Sequence, residues 1–162
     1  MNDAEQELMR SRVEATPAGG SDKAVVFEAT GERVTMGMHG ELAEFYGADP
    51  GQIEARASTL DFLVGAITAC LLGTFRRALT ARQVSFTDLV ATGTGRIVLE
   101  KDVPMLRAVE VEYRLSGAVA DRHEALQRAH AVHDRGCAVS RSVAAAIEIE
   151  TRLILIEGNE DE

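Results

Sequence analysis

Two cysteines, Cys70 and Cys137, are the residues of this chain with the clearest capacity for chemistry. They lie 67 residues apart, so they form no local CxxC motif, and only the fold can bring them together. Thiols that meet in a fold can act as a dithiol–disulfide redox pair. A thiol that stays alone in a core usually behaves as a small hydrophobic residue. These local sequences leave both interpretations open.

Each cysteine belongs to a predicted helix. Cys70 lies in the apolar run STLDFLVGAITACLLGTF, where Ser58 is a good N-cap and Asp61 completes a capping-box-like pattern three residues later. The helix that follows is apolar on nearly every face, which predicts a central and buried position. Cys137 follows Gly136 at a second helix start, where free N–H groups and the macrodipole lower a thiol pKa.

The remaining elements predict an α+β fold, with antiparallel sheets packed on the long central helix. An all-round apolar helix is more than a small sheet can cover, so we also expect an intertwined homodimer. Residues 40–57 carry the breakers Gly47, Pro50 and Gly51 and are predicted to be a loop. The predicted strands cover residues 12–15, 24–28, 33–38, 88–100, 109–115 and 147–153, and the predicted helices cover residues 58–79, 121–134 and 137–146.

Length and charge narrow the class of protein. A chain of 162 residues suits one domain, which we place at residues 1–157, followed by an acidic and disordered tail at 158–162. The net charge of −9 argues against a nucleic-acid partner. The N-terminus lacks the pattern of a secretory signal, and the longest apolar stretch is too short to predict a membrane span. We therefore expect a cytoplasmic protein without a membrane partner, whose thiols rest reduced.

Histidines near Cys137 raise the question of a metal. His130, His133 and Cys137 have a spacing that can hold zinc, but a fourth ligand would have to be Cys70 or Asp134. We predict no metal site, and we expect His133 to be an exposed helix residue or to tune the surroundings of Cys137. A metal-dependent protein remains an open alternative.

Two further motifs carry less weight. Gly93-Thr94-Gly95 lies in a strand pattern and lacks the third glycine and following helix of a phosphate loop, so a bulge or a packing role is expected. Ser140 and Ser142 lack the GxSxG context of a serine hydrolase.

Over roughly residues 10–155, the chain resembles the osmotically inducible protein C / organic hydroperoxide resistance (OsmC/Ohr) superfamily, in its OsmC-like branch. Residues 137–143, CAVSRSV, are similar to the family's Cys-Pro-Val-Ser pattern, with Ala138 in place of proline. Residues 63–70, LVGAITAC, are similar to the family's first-cysteine helix. The resemblance implies an OsmC-like fold, an obligate homodimer with interfacial active sites, and a thiol peroxidase that reduces organic hydroperoxides in oxidative-stress defence.

The resemblance also implies a role for each thiol. Cys70 would be the peroxidatic cysteine, which attacks the peroxide as a thiolate and becomes a sulfenic acid. Cys137 would be the resolving cysteine, which condenses with it to a disulfide. An external dithiol, of the lipoyl or thioredoxin type, would reduce that disulfide, so no tightly bound cofactor is expected. Such a disulfide requires Cα atoms within roughly 7 Å of each other.

The groups that activate Cys70 depart from the family pattern. The family's glutamate lies ten residues before the cysteine, where this chain has Leu60, and the adjacent Asp61 is the third candidate catalytic residue. The family's arginine follows two glycines, where this chain offers only Lys23, and Arg56 is the nearest arginine before the helix. The missing glutamate motivates an alternative function, a non-catalytic binder of a small hydrophobic ligand on the same dimeric fold.

Overall fold

The computed structural model describes residues 6–117 and 122–156, and it confirms the α+β class. The chain divides into two compact units, with the boundary after Thr59. The single domain predicted over residues 1–157 stays a prediction, and the predicted tail lies outside the described residues. The elements are β1 (Val13–Pro17), β2 (Lys23–Phe27), β3 (Glu32–Met36), α1 (Gly40–Phe45), α2 (Thr59–Ala81), β4 (Asp88–Glu100), β5 (Val103–Ser116), α3 (His123–His130), a 3₁₀ turn (His133–Gly136), α4 (Ala138–Val143) and β6 (Glu148–Ile156).

The first unit is built on an antiparallel sheet in the order β1-β2-β3. Gly31 has a φ of 71° in the β2–β3 connection, a conformation that suits glycine. The prediction that residues 40–57 are entirely loop is wrong, because α1 occupies the start of that segment. Only Ala43 of this six-residue helix is buried, so α1 is too short to produce a periodic apolar signal.

The second unit contains a mixed sheet in the order β4-β5-β6. β4 and β5 form an antiparallel hairpin whose connection places Lys101 and Asp102 at positive φ. β5 and β6 are parallel, so the prediction of purely antiparallel sheets is wrong for this pair. The physical reason is the long connection: α3, the 3₁₀ turn and α4 return the chain to the starting end of β5, as a parallel crossover requires.

One face of α2 forms the centre of this unit's core. Ile67, Leu71, Phe75 and Leu79, spaced at four-residue intervals, are all 0% exposed. They share a core cluster with Val109, Val111, Tyr113 and Leu115 of β5. The predicted central and buried position is confirmed for this face of α2, whereas the other faces are partly exposed in the chain by itself. Among the described helices α2 alone has the length and composition to cross a membrane, which a core helix can also have.

Two glycines of β4 allow α2 to lie close to the sheet. A Cβ at Gly93 would overlap Thr68, and a Cβ at Gly95 would lie 2.6 Å from a methyl of Val64. Thr68 and Val64 are one turn apart on the helix, and Gly93 and Gly95 share one face of the strand. The expected packing role of the Gly93-Thr94-Gly95 motif is therefore confirmed.

Candidate thiol site

The 3₁₀ turn and α4 position Cys137. The Cys137 N–H donates to the carbonyl of Asp134 at 2.9 Å, and Cys137 is the N-cap residue of α4, as its position after Gly136 predicts. Its sulfur accepts hydrogen bonds from the Ser140 hydroxyl at 3.0 Å and from the Ser140 N–H at 3.4 Å. Cys137 is 0% exposed. The side chain is thus held at the first turn of the helix in place of the usual oxygen cap.

Cys70 meets this helix start from α2. The N–H groups of Val139 and Ala138, at the start of α4, and the thiol of Cys137 act on its sulfur and lower the pKa of Cys70. Both cysteines are free thiols, and Cys70 is half-buried. The fold therefore brings together the two thiols that the sequence places in separate helices.

Arg77 supplies positive charge to the site. It follows Cys70 by seven residues, which is close to two helical turns, so both lie on the same side of α2. Side chains on a helix lean toward its N-terminus, which directs Arg77 back toward Cys70. The Nη2 atom of Arg77 also lies close to Gly136, where a Cβ would be 3.3 Å away. No carboxylate of the described residues forms an ion pair with Arg77, and its charge lowers the pKa of Cys70.

The two thiols have opposite tendencies to ionise. Burial opposes ionisation of Cys70, but the N–H groups of Val139 and Ala138, the Cys137 thiol and the charge of Arg77 together hold the pKa of Cys70 below its ordinary value. Burial and the neighbouring Cys70 raise the pKa of Cys137, although Ser140 acts in the other direction. Cys70 therefore ionises first, and the protonated Cys137 can donate its S–H to the Cys70 thiolate.

Asp61 lies in the first turn of α2. The nine residues between Asp61 and Cys70 rise about 13 Å and complete about two and a half turns, so the two side chains lie on opposite sides of the helix. Asp61 of the same chain is therefore not part of the thiol cluster, and its catalytic role stays a prediction. Leu60, at the position of the family's glutamate, packs against the hydrophobic core of the second unit.

The two predicted cations belong to the first unit. Arg56 forms ion pairs there with Asp22 at 2.8 Å and with Glu54 at 2.5 Å. The Nζ of Lys23 donates to the carbonyl of Ser21 at 2.8 Å. Within the second unit the cation that acts on Cys70 is Arg77.

The histidines near Cys137 have partners other than a metal. His133 is 3% exposed, so its predicted exposure is wrong. One ring nitrogen lies 2.8 Å from the Tyr113 hydroxyl and the other 2.6 Å from the His130 carbonyl, so both are occupied. Within residues 6–117 and 122–156, no three His, Cys, Asp or Glu side chains converge in a way that could hold a metal ion.

The sequence patterns described above identify neither Arg77 nor Ser140 as part of this site, and they assign the free N–H groups at the start of α4 to Cys137, whereas these groups act on Cys70. The seven-residue interval from Cys70 is the signal that identifies Arg77, because it spans close to two turns. The three-residue interval from Cys137 is the signal for Ser140, because an N-cap side chain accepts from that N–H. The amides carry no sequence signal, since any residue provides them.

Comparisons with known proteins agree with this architecture. The family model described as OsmC-like protein matches residues 51–152, which is more than half of the chain. No curated protein matches the sequence. An OsmC-like protein of unknown function from Vibrio cholerae superimposes with a TM-score of 0.72 at 14% identity, over 91% of this chain and 100% of the other.

Two further structures have a similar fold. An OsmC-like protein from Mycoplasma pneumoniae gives a TM-score of 0.71 at 13% identity, over 93% of this chain and 99% of the other. An organic hydroperoxide resistance protein from Elizabethkingia anophelis gives 0.69 at 15% identity, over 94% and 100%. Identities this low show the fold alone, whereas the family match rests on the sequence. The chain therefore belongs to the OsmC-like protein family.

Proposed function

We propose that this protein is a cysteine-based thiol peroxidase that reduces organic hydroperoxides in oxidative-stress defence. The observation that carries the proposal is the contact between Cys70, whose pKa is lowered, and Cys137, whose pKa is raised. Peroxide reduction by two thiols requires one nucleophilic thiolate and one protonated thiol beside it. The family includes proteins named for organic hydroperoxide resistance, which supports the substrate class.

The first step uses Cys70 as the nucleophile. Its thiolate attacks the oxygen of the hydroperoxide that carries the hydrogen, and the O–O bond breaks. The sulfur becomes a sulfenic acid, and the leaving alkoxide takes a proton from solvent to become the alcohol. Arg77 and the amides of Ala138 and Val139 favour the thiolate before the attack.

The second step uses Cys137 as the resolving thiol. Its sulfur attacks the Cys70 sulfenic acid, an S–S bond forms, and water leaves with the Cys137 proton. The two thiols are near enough for each to shift the pKa of the other, which supports this pairing. An external dithiol of the lipoyl or thioredoxin type then restores both thiols and becomes a disulfide itself.

The same proposal includes an intertwined homodimer, with the active site at the subunit interface, and a cytoplasmic location. The faces of α2 that lie outside the core support the dimer, because they include partly exposed Leu72 and exposed Ala66 and Ala69. A cytoplasmic location supports the chemistry, since it keeps both thiols reduced.

The test is consumption of cumene hydroperoxide with dihydrolipoamide as the reductant. We expect wild type to turn over repeatedly and Cys70→Ser to lose that activity. Ala145→Ser is the matched control, because it adds the same hydroxyl at an exposed position after α4, outside the proposed interface, and leaves both thiols intact. Mass spectrometry after one equivalent of peroxide should identify a Cys70–Cys137 disulfide within one chain.

Equal consumption by wild type and Cys70→Ser would overturn the peroxidase proposal. The non-catalytic binder of a small hydrophobic ligand would then be the remaining function on this fold. Sulfonic acid at Cys70 without any disulfide would instead contradict the resolving role of Cys137 and leave the role of Cys70 intact.

A further inference from the structure

A buried cluster of four rings lies behind the thiol site. It consists of Phe75 of α2, Tyr113 of β5, His130 of α3 and His133 of the 3₁₀ turn, and their ring centroids are 4.6 to 6.0 Å apart. Tyr113 is 0% exposed and His133 is 3% exposed. The peroxidase mechanism described above does not use any of these residues.

The hydrogen bonds of His133 have one consistent direction. Its Nδ1 lies 2.6 Å from the His130 carbonyl, which can only accept, so Nδ1 carries the proton. Burial lowers the pKa of His133, which keeps the ring neutral and makes Nε2 an acceptor. The Tyr113 hydroxyl, 2.8 Å from Nε2, is therefore the donor. Burial, together with the nearby Cys137 and Asp134, raises the pKa of Tyr113, so its hydroxyl stays protonated.

The turn that His133 opens leads directly to the groups that contact Cys70. His133 is the first residue of the 3₁₀ turn, and Cys137 closes the turn with its bond to the Asp134 carbonyl. The next two N–H groups, of Ala138 and Val139, are the first of α4, and they act on the Cys70 sulfur. A hydrogen bond weakens steeply as its angle falls, so a small rotation of this short segment misdirects both amides.

We propose that Tyr113 is a positioning residue, which anchors the 133–136 turn through its hydrogen bond to His133 and so keeps the Ala138 and Val139 amides directed at the Cys70 sulfur. Tyr113 lies on the central strand of a three-stranded sheet, which is a rigid support for the turn. The biological role of Tyr113 in this inference rests on the proposed function. Its measurable consequence, however, is the acidity of Cys70 itself.

The chemistry of the pair favours this role over simple filling of space. A buried hydroxyl and a buried ring nitrogen cost stability unless they are paired, and an apolar pair of similar volume would fill the same space. A directional hydrogen bond fixes the orientation of the 133–136 turn. Apolar packing would restrict that orientation less.

Tyr113→Phe is the decisive variant, because it keeps the ring beside Phe75 and removes only the hydroxyl. The measurement is the rate of iodoacetamide alkylation at Cys70 as a function of pH, resolved by mass spectrometry of the peptides. We expect the midpoint for Cys70 to rise by roughly 0.5 to 1 pH unit, since the thiolate loses well-aligned donors. The melting temperature should fall by a few degrees as well.

Thr151→Val is the matched control. It removes the contact between Thr151 Oγ1 and His130 Nε2 (3.3 Å), in the same ring cluster but away from the bonds of His133. It should lower the melting temperature and leave the Cys70 midpoint unchanged. An equal rise of the midpoint in Thr151→Val and Tyr113→Phe would overturn the inference, because the effect would then belong to general loosening of the core.

Two variants of His133 provide a test that does not depend on Tyr113 folding effects. His133→Gln retains an oxygen or amide near the position of Nε2, and His133→Leu retains none. We expect the midpoint to rise less in His133→Gln than in His133→Leu. An unchanged midpoint in Tyr113→Phe and in both His133 variants would overturn the inference. The alkylation assay needs no peroxide, so failure of the peroxidase proposal and failure of this inference are distinguishable.

Discussion

The two regions that carry the cysteines place the same side chain in different surroundings. Cys70 comes from the middle of a long apolar helix, yet backbone amides and the guanidinium of Arg77 reach its sulfur. Cys137 lies at a helix N-terminus, the position that usually favours a thiolate, yet its pKa is raised by burial and by the neighbouring sulfur. Local sequence would make Cys137 the more acidic thiol, whereas in the fold Cys70 is the more acidic of the two.

The comparison shows that the free backbone N–H groups at the start of a helix can lower the pKa of a thiol from another helix. The Ala138 and Val139 amides belong to the helix of Cys137, but they lower the pKa of Cys70. Cys137 receives only the bonds from Ser140, and in the proposed mechanism it remains the protonated partner. An asymmetric thiol pair can therefore arise from one short helix that serves both members.

Removal of the protonated partner is expected to have the largest effect. Cys137→Ser leaves Cys70 without a resolving thiol, so its sulfenic acid will oxidise further to sulfinic acid. A peroxide assay should show a burst close to one equivalent, followed by loss of activity. Sustained turnover in Cys137→Ser, at the rate of wild type, would show that the external dithiol resolves Cys70 directly.

Displacement of the helix that carries Cys70 is expected to cost stability. Gly93→Ala adds a methyl group that overlaps Thr68, so α2 must shift away from β4, at a cost of roughly 1–3 kcal/mol. Urea unfolding measures this loss. Thr94→Ala is the control, since Thr94 is the next residue of the strand and is exposed. Equal stability of the Gly93 and Thr94 variants would contradict the close packing of α2 on β4.

Removal of the Arg77 charge should bring the two thiols closer in acidity. Arg77→Met raises the pKa of Cys70, because the thiolate loses a nearby cation, so its alkylation curve moves to higher pH. If the pKa of Cys70 rises by about one unit, the thiolate fraction at pH values below the midpoint falls about tenfold. The more basic thiolate is also a better nucleophile, which restores the rate roughly threefold. The net expectation is therefore about a threefold slower reaction at acidic pH.

The rates of Arg77→Met and wild type should become similar well above both midpoints, where Cys70 is fully ionised in each. Arg76→Met is the matched control, because it removes an exposed arginine one residue earlier on the helix. An equal shift of the Cys70 alkylation midpoint in Arg77→Met and Arg76→Met would show that the net charge of the protein causes it, and not the position of Arg77.

The smallest effect is expected from the hydroxyl that serves Cys137. Ser140→Ala removes the 3.0 Å hydrogen bond to the Cys137 sulfur and should raise the pKa of that thiol further. Disulfide formation, followed by quenched mass spectrometry, should slow by roughly twofold, given the modest net strength of such a bond. Ser142→Ala, which removes a bond to the Ala138 carbonyl instead, should leave that rate unchanged.

The elements that sequence patterns predicted well are those with a long, regular signal. The helix containing Cys70 and the strand at residues 88–100 match the structure closely, because the first is a long apolar run that follows a good N-cap and the second is long and rich in β-branched residues. The segment from Asp121 to Asp134 was harder to predict. Its start lies outside the described residues, and its end converts to a 3₁₀ turn that periodicity does not distinguish from a helix.

The sequence by itself determined that two thiols lie on different helices of an α+β protein, and its motifs identified the family. Only the tertiary structure decided which thiol is the more acidic, because that depends on where two backbone amides and one guanidinium point. Amides are common to every residue, and the direction of an arginine side chain depends on what it packs against. The chemistry of Cys70 is therefore a property of the folded chain, in which a distant helix start supplies its hydrogen bonds.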